Sequence, residues 1–243
     1  MAESRWQSRE VATLFLEGVR GALPQAALQL ELVGHIISRW RPAPRAILDL
    51  GCGDGAVGRF LLGRFPGSEV FFLDFSDPML EGARRHLSGV AAATIVKADF
   101  STPGWLSSVQ TAGRFDVVVS GFAIHHQPDG RKRELYQEVA GVLSPGGVFL
   151  NLEHVASATG AGEELFDAYF IRHLFEFHRR KDPATTLARV EGTYYNRPDK
   201  VENKLAPVET QCRWLREIGF ADVDCFFKVF ELALFGGRLP PAA

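Results

Sequence analysis

The stretch Ala46-Ile47-Leu48-Asp49-Leu50-Gly51-Cys52-Gly53-Asp54-Gly55 decides the fold. An apolar run of strand character breaks into a turn with three glycines in five residues, and helical spacing resumes directly after it. Glycine has no Cβ, so the chain turns sharply here and a ligand can lie against bare peptide. Strand, glycine turn and helix in that order form the nucleotide-binding corner of a doubly wound α/β sheet. Gly51 to Ala56 and Gly53 to Gly58 both fit the dinucleotide fingerprint. The charges argue against it. A pyrophosphate seeks the positive end of a helix dipole and free backbone N–H groups. Asp49 at the strand's end and Asp54 in the turn would instead turn two carboxylates toward the phosphates. They suit a ligand with positive charge, such as one bearing an ammonium and a sulfonium.

Working outward, further stations follow in order. Phe71-Phe-Leu-Asp74 is a second strand ending in an acid, and Val96-Lys-Ala-Asp99-Phe100 a third with its own acid. Phe115 to His126 reads as a fourth strand and its following loop, and Leu143-Ser-Pro-Gly-Gly147 as the turn before a fifth. With the opening stretch, these five stations resemble the class I S-adenosylmethionine-dependent methyltransferases, over roughly Phe15 to Gly237. The resemblance implies a doubly wound, mostly parallel seven-stranded sheet of the Rossmann-like methyltransferase type. It also implies S-adenosyl-L-methionine as cofactor and S-adenosyl-L-homocysteine as product.

Composition bounds the rest. A chain of 243 residues with 46% hydrophobic content can bury one large core, which fits a single α/β domain with an added cap. The net charge of −2 lacks the basic footprint of nucleic-acid binding. No apolar run reaches the length of a membrane span, and the first residues lack the apolar core of a signal peptide. Three widely spaced cysteines, Cys52, Cys212 and Cys225, suggest neither a disulfide framework nor a zinc site, and no metal is expected. A reduced cytoplasm is the expected compartment. The oligomeric state is left open.

Four parts are expected. Residues 1–45 carry helices of the cap, with apolar spacing at Val11, Leu14, Phe15 and Val19 and then at Leu28, Leu32 and Ile36. Pro24 marks the start of the second helix. Residues 46–154 alternate strand and helix patterns and form the cofactor-binding core. Residues 155–207, with Phe166, Tyr169, Phe170, Leu174, Phe175 and Phe177, read as a helical insertion over the carboxyl ends of the strands. Residues 208–243 complete the sheet with a helix and two strands.

The glycine turn gives Asp49, Gly51, Cys52, Gly53, Asp54 and Gly55 as cofactor contacts. Asp74, about 20 residues on, can accept both ribose hydroxyls, with Phe75 and Met79 flanking the adenine. Asp77-Pro78 reads as a helix cap. The resemblance gives Asp99 the adenine amino group, which a pure acceptor suits, and makes Phe100 a cover for the ring. Ser120, Gly121 and Phe122 lie at the ligand end of the fourth strand; Asp116, at its start, reads as structural. His125 and His126, with Glu153 and His154 after the fifth strand, are the acid–base candidates. In the insertion, Tyr194, Tyr195, Asn196 and Arg197 form a candidate substrate clamp, with Tyr195 also a catalytic candidate. Arg179-Arg180-Lys181 reads as a solvated helix end.

Methyl transfer to a small-molecule oxygen, nitrogen or carbon is the function expected. Other chemistry of the same cofactor (carboxylation, cyclisation or transfer of another carbon group) stays open. So do a nicotinamide oxidoreductase and a non-catalytic cofactor-binding protein on the same fold.

Overall fold

A computed structural model describes residues 5–14 and 20–242. Seven strands form one sheet in the order β3-β2-β1-β4-β5-β7-β6. Their ranges are β1 Ala46–Leu50, β2 Glu69–Asp74, β3 Ala93–Lys97, β4 Phe115–Gly121, β5 Leu143–His154, β6 Ala221–Val229 and β7 Leu232–Arg238. The first five run parallel; β7 lies antiparallel between β5 and β6. Strand order reverses at β1, which pairs with β2 on one side and β4 on the other. A crevice opens at such a switch point, outside the carboxyl ends of the strands.

Side chains alternate along each strand, so the apolar runs feed both faces of the sheet. Leu48, Leu50, Phe71 and Val118 join Tyr136, Phe149 and Leu215 on one face. Ile47, Val70, Phe72 and Val119 join Ile37, Leu61 and Leu80 on the other. The helices between strands are α3 Ala56–Arg64, α4 Asp77–His86 and α5 Asp129–Val142, and α8 Val208–Ile218 precedes β6. Ser76, not Asp77, caps α4: its hydroxyl accepts from the Met79 N–H, and Asp77 pairs with Lys97 at 2.7 Å. Asp116 is a tie between elements, paired with Arg41 and accepting the Arg45 N–H at 2.7 Å.

Helix α1, Arg9–Leu14, and helix α2, Ala26–Trp40, precede the sheet. The expected apolar positions Phe15 and Val19 lie outside the described residues. On α2 the buried face is Gln29, Val33, Ile36 and Ile37, while Leu28 is exposed, so the stripe sits one residue later than the 28/32/36 spacing suggests. The segment after β5 forms α6 Gly160–Lys181, α7 Leu187–Asn196 and a 3₁₀ turn, Pro198–Glu202. Phe166, Phe170, Leu174, Val190 and Tyr194 pack there with Leu232 in a separate apolar cluster. Leu143 to Gly147, expected as a turn, is an irregularity where pairing with β4 jumps from Phe115↔Leu143 to Val117↔Val148.

Candidate active site

The glycine turn is pinned to the end of β2. The Gly51 and Cys52 N–H groups both donate to the Leu73 carbonyl, at 2.8 and 2.9 Å. The Gly53 N–H donates to Asp74 Oδ2 at 2.8 Å, and Ser76 N–H to its Oδ1 at 2.9 Å. Burial nevertheless raises the Asp74 pKa, the backbone N–H groups of Ser76, Gly53 and Phe75 opposing the rise. Gly51 and Gly53 sit at φ +74° and +56°, in the left-handed region. A Cβ on Gly51 would stand 2.3 Å from that of Ala123, so glycine is required for space as well as for conformation.

A cavity of about 730 Å³ opens over this turn. Asp49, Gly51, Cys52, Gly53 and Asp74 form its floor, Phe75 and Met79 one side, and Asp99 and Phe100 another. Gly121 and Phe122 close it at the end of β4. Asp49 is fully buried and accepts the Gly58 N–H at 2.8 Å, so it also fixes the start of α3. Asp99 accepts the Ser101 N–H at 2.8 Å. Three expected contacts are absent from this lining. Asp54 turns back to Arg59 and His86, at 3.8 and 3.5 Å. Gly55 is the N-cap of α3, and the Ser120 hydroxyl donates to the Leu50 carbonyl at 2.7 Å.

Two supports carry no sequence signal. The first is the start of the described chain. Ser76 Oγ donates to the Trp6 carbonyl at 2.6 Å, Gln7 Nε2 to the Phe75 carbonyl at 3.2 Å, and the Arg5 N–H to Glu202 at 2.7 Å. Arg5, Trp6 and Gln7 thereby line the cavity. The second is Arg131 on α5. Its Nε and Nη2 donate to the Phe100 carbonyl at 3.0 and 2.9 Å, and it pairs with Glu138 at 2.6 Å. Only a fold that brings residues 31 apart together could reveal that clamp.

A second, smaller chamber of about 60 Å³ adjoins the first, with Trp6, Leu23, Phe122 and His126 lining both. Its other walls include His125, His154, Phe166, Phe170, Tyr194 and Arg197. Phe122 holds φ +55°, which bulky residues rarely adopt. Glu153 lines neither chamber. It is buried behind the second one, accepting the His125 N–H at 2.9 Å and the His154 N–H at 2.9 Å, with His125 Nδ1 at 2.6 Å. Burial raises its pKa to about 7 and drives those of His125 and His126 well below the usual histidine range.

The expected clamp is divided. Tyr194 is buried and its hydroxyl donates to Asp167 at 2.5 Å, with Arg197 stacked on its ring at 4.8 Å. Tyr195 is 49% exposed and lines neither chamber. Asn196 is exposed and donates to the Gly192 carbonyl at 2.7 Å. Tyr195 and Asn196 face outward because α7 presents only Val190 and Tyr194 to the core.

Comparison with known proteins shows the family. Residues 47–147 match a methyltransferase-domain family model. A demethylmenaquinone methyltransferase of Thermus thermophilus is 33% identical over 166 residues, which is 62% of this chain and 72% of that protein. The chain belongs to the S-adenosylmethionine-dependent methyltransferases. Its cofactor is S-adenosylmethionine, and the nicotinamide alternative falls. A carboxy-S-adenosyl-L-methionine synthase of Aeromonas hydrophila is 26% identical over 91% of this chain and 85% of its own length. The fold is also that of an O-methyltransferase family protein from Burkholderia thailandensis, with a TM-score of 0.62 and 18% identity over 88% of this chain and 57% of the other. Among the described residues no helix is long and apolar enough to cross a membrane, and no group of histidine, cysteine and acid side chains forms a metal site.

Proposed function

We propose that this methyltransferase acts on a small-molecule acceptor held between the cofactor cavity and the chamber under the cap. The observation that carries the reading is the shared wall: Trp6, Leu23, Phe122 and His126 border both spaces. A donor lying on the glycine turn and an acceptor under the cap would then meet at Phe122 and His126.

The cavity suits the cofactor in its residue chemistry. Asp74 keeps a second lone pair on each oxygen for ribose hydroxyls, beyond the two N–H groups it already accepts. Phe75 and Met79 would flank the adenine, Phe100 would cover it, and Asp99 would accept its amino hydrogens. Asp49 with the bare peptide of Gly51, Gly53 and Gly121 suits an ammonium, and Lys204 and Arg5 at the wall supply positive charge for a carboxylate. When bound, the cofactor supplies a methyl group already activated on a sulfonium. The protein's task is to align the acceptor and exclude water. Residues 5–7 and the segment from α6 to Glu202 serve exclusion. Arg131 keeps the Asp99–Phe100 loop in place.

Calorimetric titration with S-adenosylmethionine and S-adenosylhomocysteine tests the cavity. Release of S-adenosylhomocysteine on addition of a metabolite extract tests the transfer. Binding without any release would overturn small-molecule methylation. A second reading has specific support: carboxy-S-adenosyl-L-methionine synthases match over almost the whole chain. Arg197 borders the chamber with its Nε 3.5 Å from an Asp199 carboxylate oxygen, and a carboxylate on the methyl carbon would share it. Mass spectrometry of the protein-bound cofactor separates the two readings, since carboxylation adds mass to the cofactor and methyl transfer removes it.

A further inference from the structure

Resting on the cofactor's proposed place over the glycine turn, we infer that Lys132 is a positioning residue for the larger cavity: through the Lys204 carbonyl it fixes residues 203–206 as a stretch of the cavity wall. Lys132 lies on α5, and its side chain is only 1% exposed. Its ammonium donates to Asp129 Oδ1 at 2.7 Å and to the Lys204 carbonyl. Residues 203–207 carry neither helix nor strand, so no ladder of their own holds them. They are held by ties to other segments instead. The Lys204 N–H donates to the His125 carbonyl at 2.9 Å, and the Lys204 ammonium to that of His126 at 3.1 Å. The Ala206 carbonyl accepts the Ala156 N–H at 3.1 Å and Gln211 Nε2 at 3.0 Å. Glu202 and Lys204 line the larger cavity, and Asn203 the second chamber.

One helix holds two parts of the same wall. Arg131, the residue before Lys132, donates to the Phe100 carbonyl at 3.0 and 2.9 Å. Tyr136, one turn after Lys132 and on the same face, donates to Gln211 Oε1 at 2.5 Å, and the amide of Gln211 holds the Ala206 carbonyl. The first turns of α5 therefore reach Phe100 after β3 with one side chain and the 203–206 strap with two. Phe100 and Lys204 both line the larger cavity. A helix is stiff, so adjacent grips on it fix how far apart the two stretches of wall stand.

The choice of a lysine argues for more than packing. A buried ammonium is costly unless it is paired and hydrogen-bonded. Its ion-pair partner Asp129 is 57% exposed, so water weakens that bond. An apolar side chain would fill the same space without the cost. What the ammonium adds is a charge-assisted, directional hold on a carbonyl, which no apolar group supplies. Its charge also reaches the second chamber, where it opposes a proton on His125 and favours the ionised form of Glu153.

Two measurements on the full chain test the role. One is amide hydrogen exchange at Lys204 relative to Leu48 in the central strand β1, without ligand. The other is release of labelled S-adenosylhomocysteine chased by the unlabelled compound. Lys132→Met keeps most of the stem and removes the ammonium. Relative exchange at Lys204 should rise by about tenfold or more, and release should speed by a similar factor with the association rate little changed. Val139→Ala, in the buried core of the same helix, also lowers stability but touches no part of the strap. It should leave the exchange ratio and the release rate at the parent's values. A parent that does not bind S-adenosylhomocysteine overturns the cavity reading, and the proposal with it. A parent that binds, with release unchanged in Lys132→Met, overturns the proposal alone. Equal changes in Val139→Ala would reduce Lys132 to a stabilising residue and overturn it too.

Discussion

The two chambers are built in opposite ways. The larger has its floor at the ends of neighbouring parallel strands: Asp49 with Gly51 to Gly53 at the end of β1, Asp74 and Phe75 at the end of β2, Asp99 and Phe100 after β3. Its polar groups are fixed by backbone hydrogen bonds from the turn itself. The smaller takes single side chains from at least six separate segments, from Trp6 to Leu232, and its charges are fixed by other side chains. A cavity made of strand ends is stiff and tolerates little change of backbone. A chamber made of side chains is adjustable, and its shape can change while the larger cavity stays as it is.

The contrast breaks most sharply at Asp74. Asp74→Ala should weaken S-adenosylmethionine binding by about 2–4 kcal/mol, roughly 30- to 1,000-fold in Kd, by loss of charge-assisted hydrogen bonds. Calorimetry reads it, and an unchanged Kd would remove the carboxylate from the ribose. In the smaller chamber, Tyr194→Phe leaves Asp167 without its 2.5 Å donor and should destabilise the protein by about 1.5–3 kcal/mol. Tyr195→Phe, one residue on but exposed, should stay within about 0.5 kcal/mol of the parent. Equal effects in urea unfolding would mean that α7 is rotated from the arrangement described.

The glycine turn sharpens the comparison further. Gly51→Ala must take a left-handed backbone and a 2.3 Å contact with Ala123, so it should lose about 2 kcal/mol, roughly 4–8 °C in Tm. Gly53→Ala has Met79 Sδ at 3.8 Å as its nearest neighbour and should lose about half of that. A reversed order would break the account of the turn.

The smallest effect is read as a slope. Glu153 holds its proton up to about pH 7 in the fold but only to about 4.5 when unfolded, so its contribution to stability is lost as pH rises across that window. His125 and His126 are depressed, so they act in the opposite sense, and stability from them grows as pH rises toward 6.5. The two tendencies offset each other in the parent. Glu153→Gln removes the first, so its Tm should climb more steeply between pH 5 and 7, by at most about 1.4 kcal/mol per pH unit. Parallel Tm profiles would show that Glu153 is ionised throughout.

The same contrast explains what could be read in the sequence. The glycine turn, Asp74 and Asp99 announce themselves because each sits at a strand end, a local pattern of apolar run followed by acid. Asp54 and Ser120 lie off the cavity lining for a local reason too: each is beside the cavity in sequence, but the turn of the backbone directs Asp54 to Arg59 and His86 and Ser120 to Leu50. On α7 the spacing could not say whether Tyr194 or Tyr195 faces inward, because both are aromatic and adjacent. Trp6, Arg131 and Glu231 were silent. Their roles depend on partners 70, 31 and 77 residues away in the chain, and no periodicity carries that information.

The position of β7 between β5 and β6 has a consequence for how the molecule comes into being. During synthesis the parallel strands, the glycine turn and Asp99 all emerge before β7. The floor of the larger cavity can therefore take shape on a growing chain while the outer edge of β5 still waits for a partner. Glu231, which restrains His154, and Leu232, which closes the second chamber, arrive only with the final hairpin. The floor of the larger cavity is thus an early feature of the growing chain, and the smaller chamber is walled off only after it.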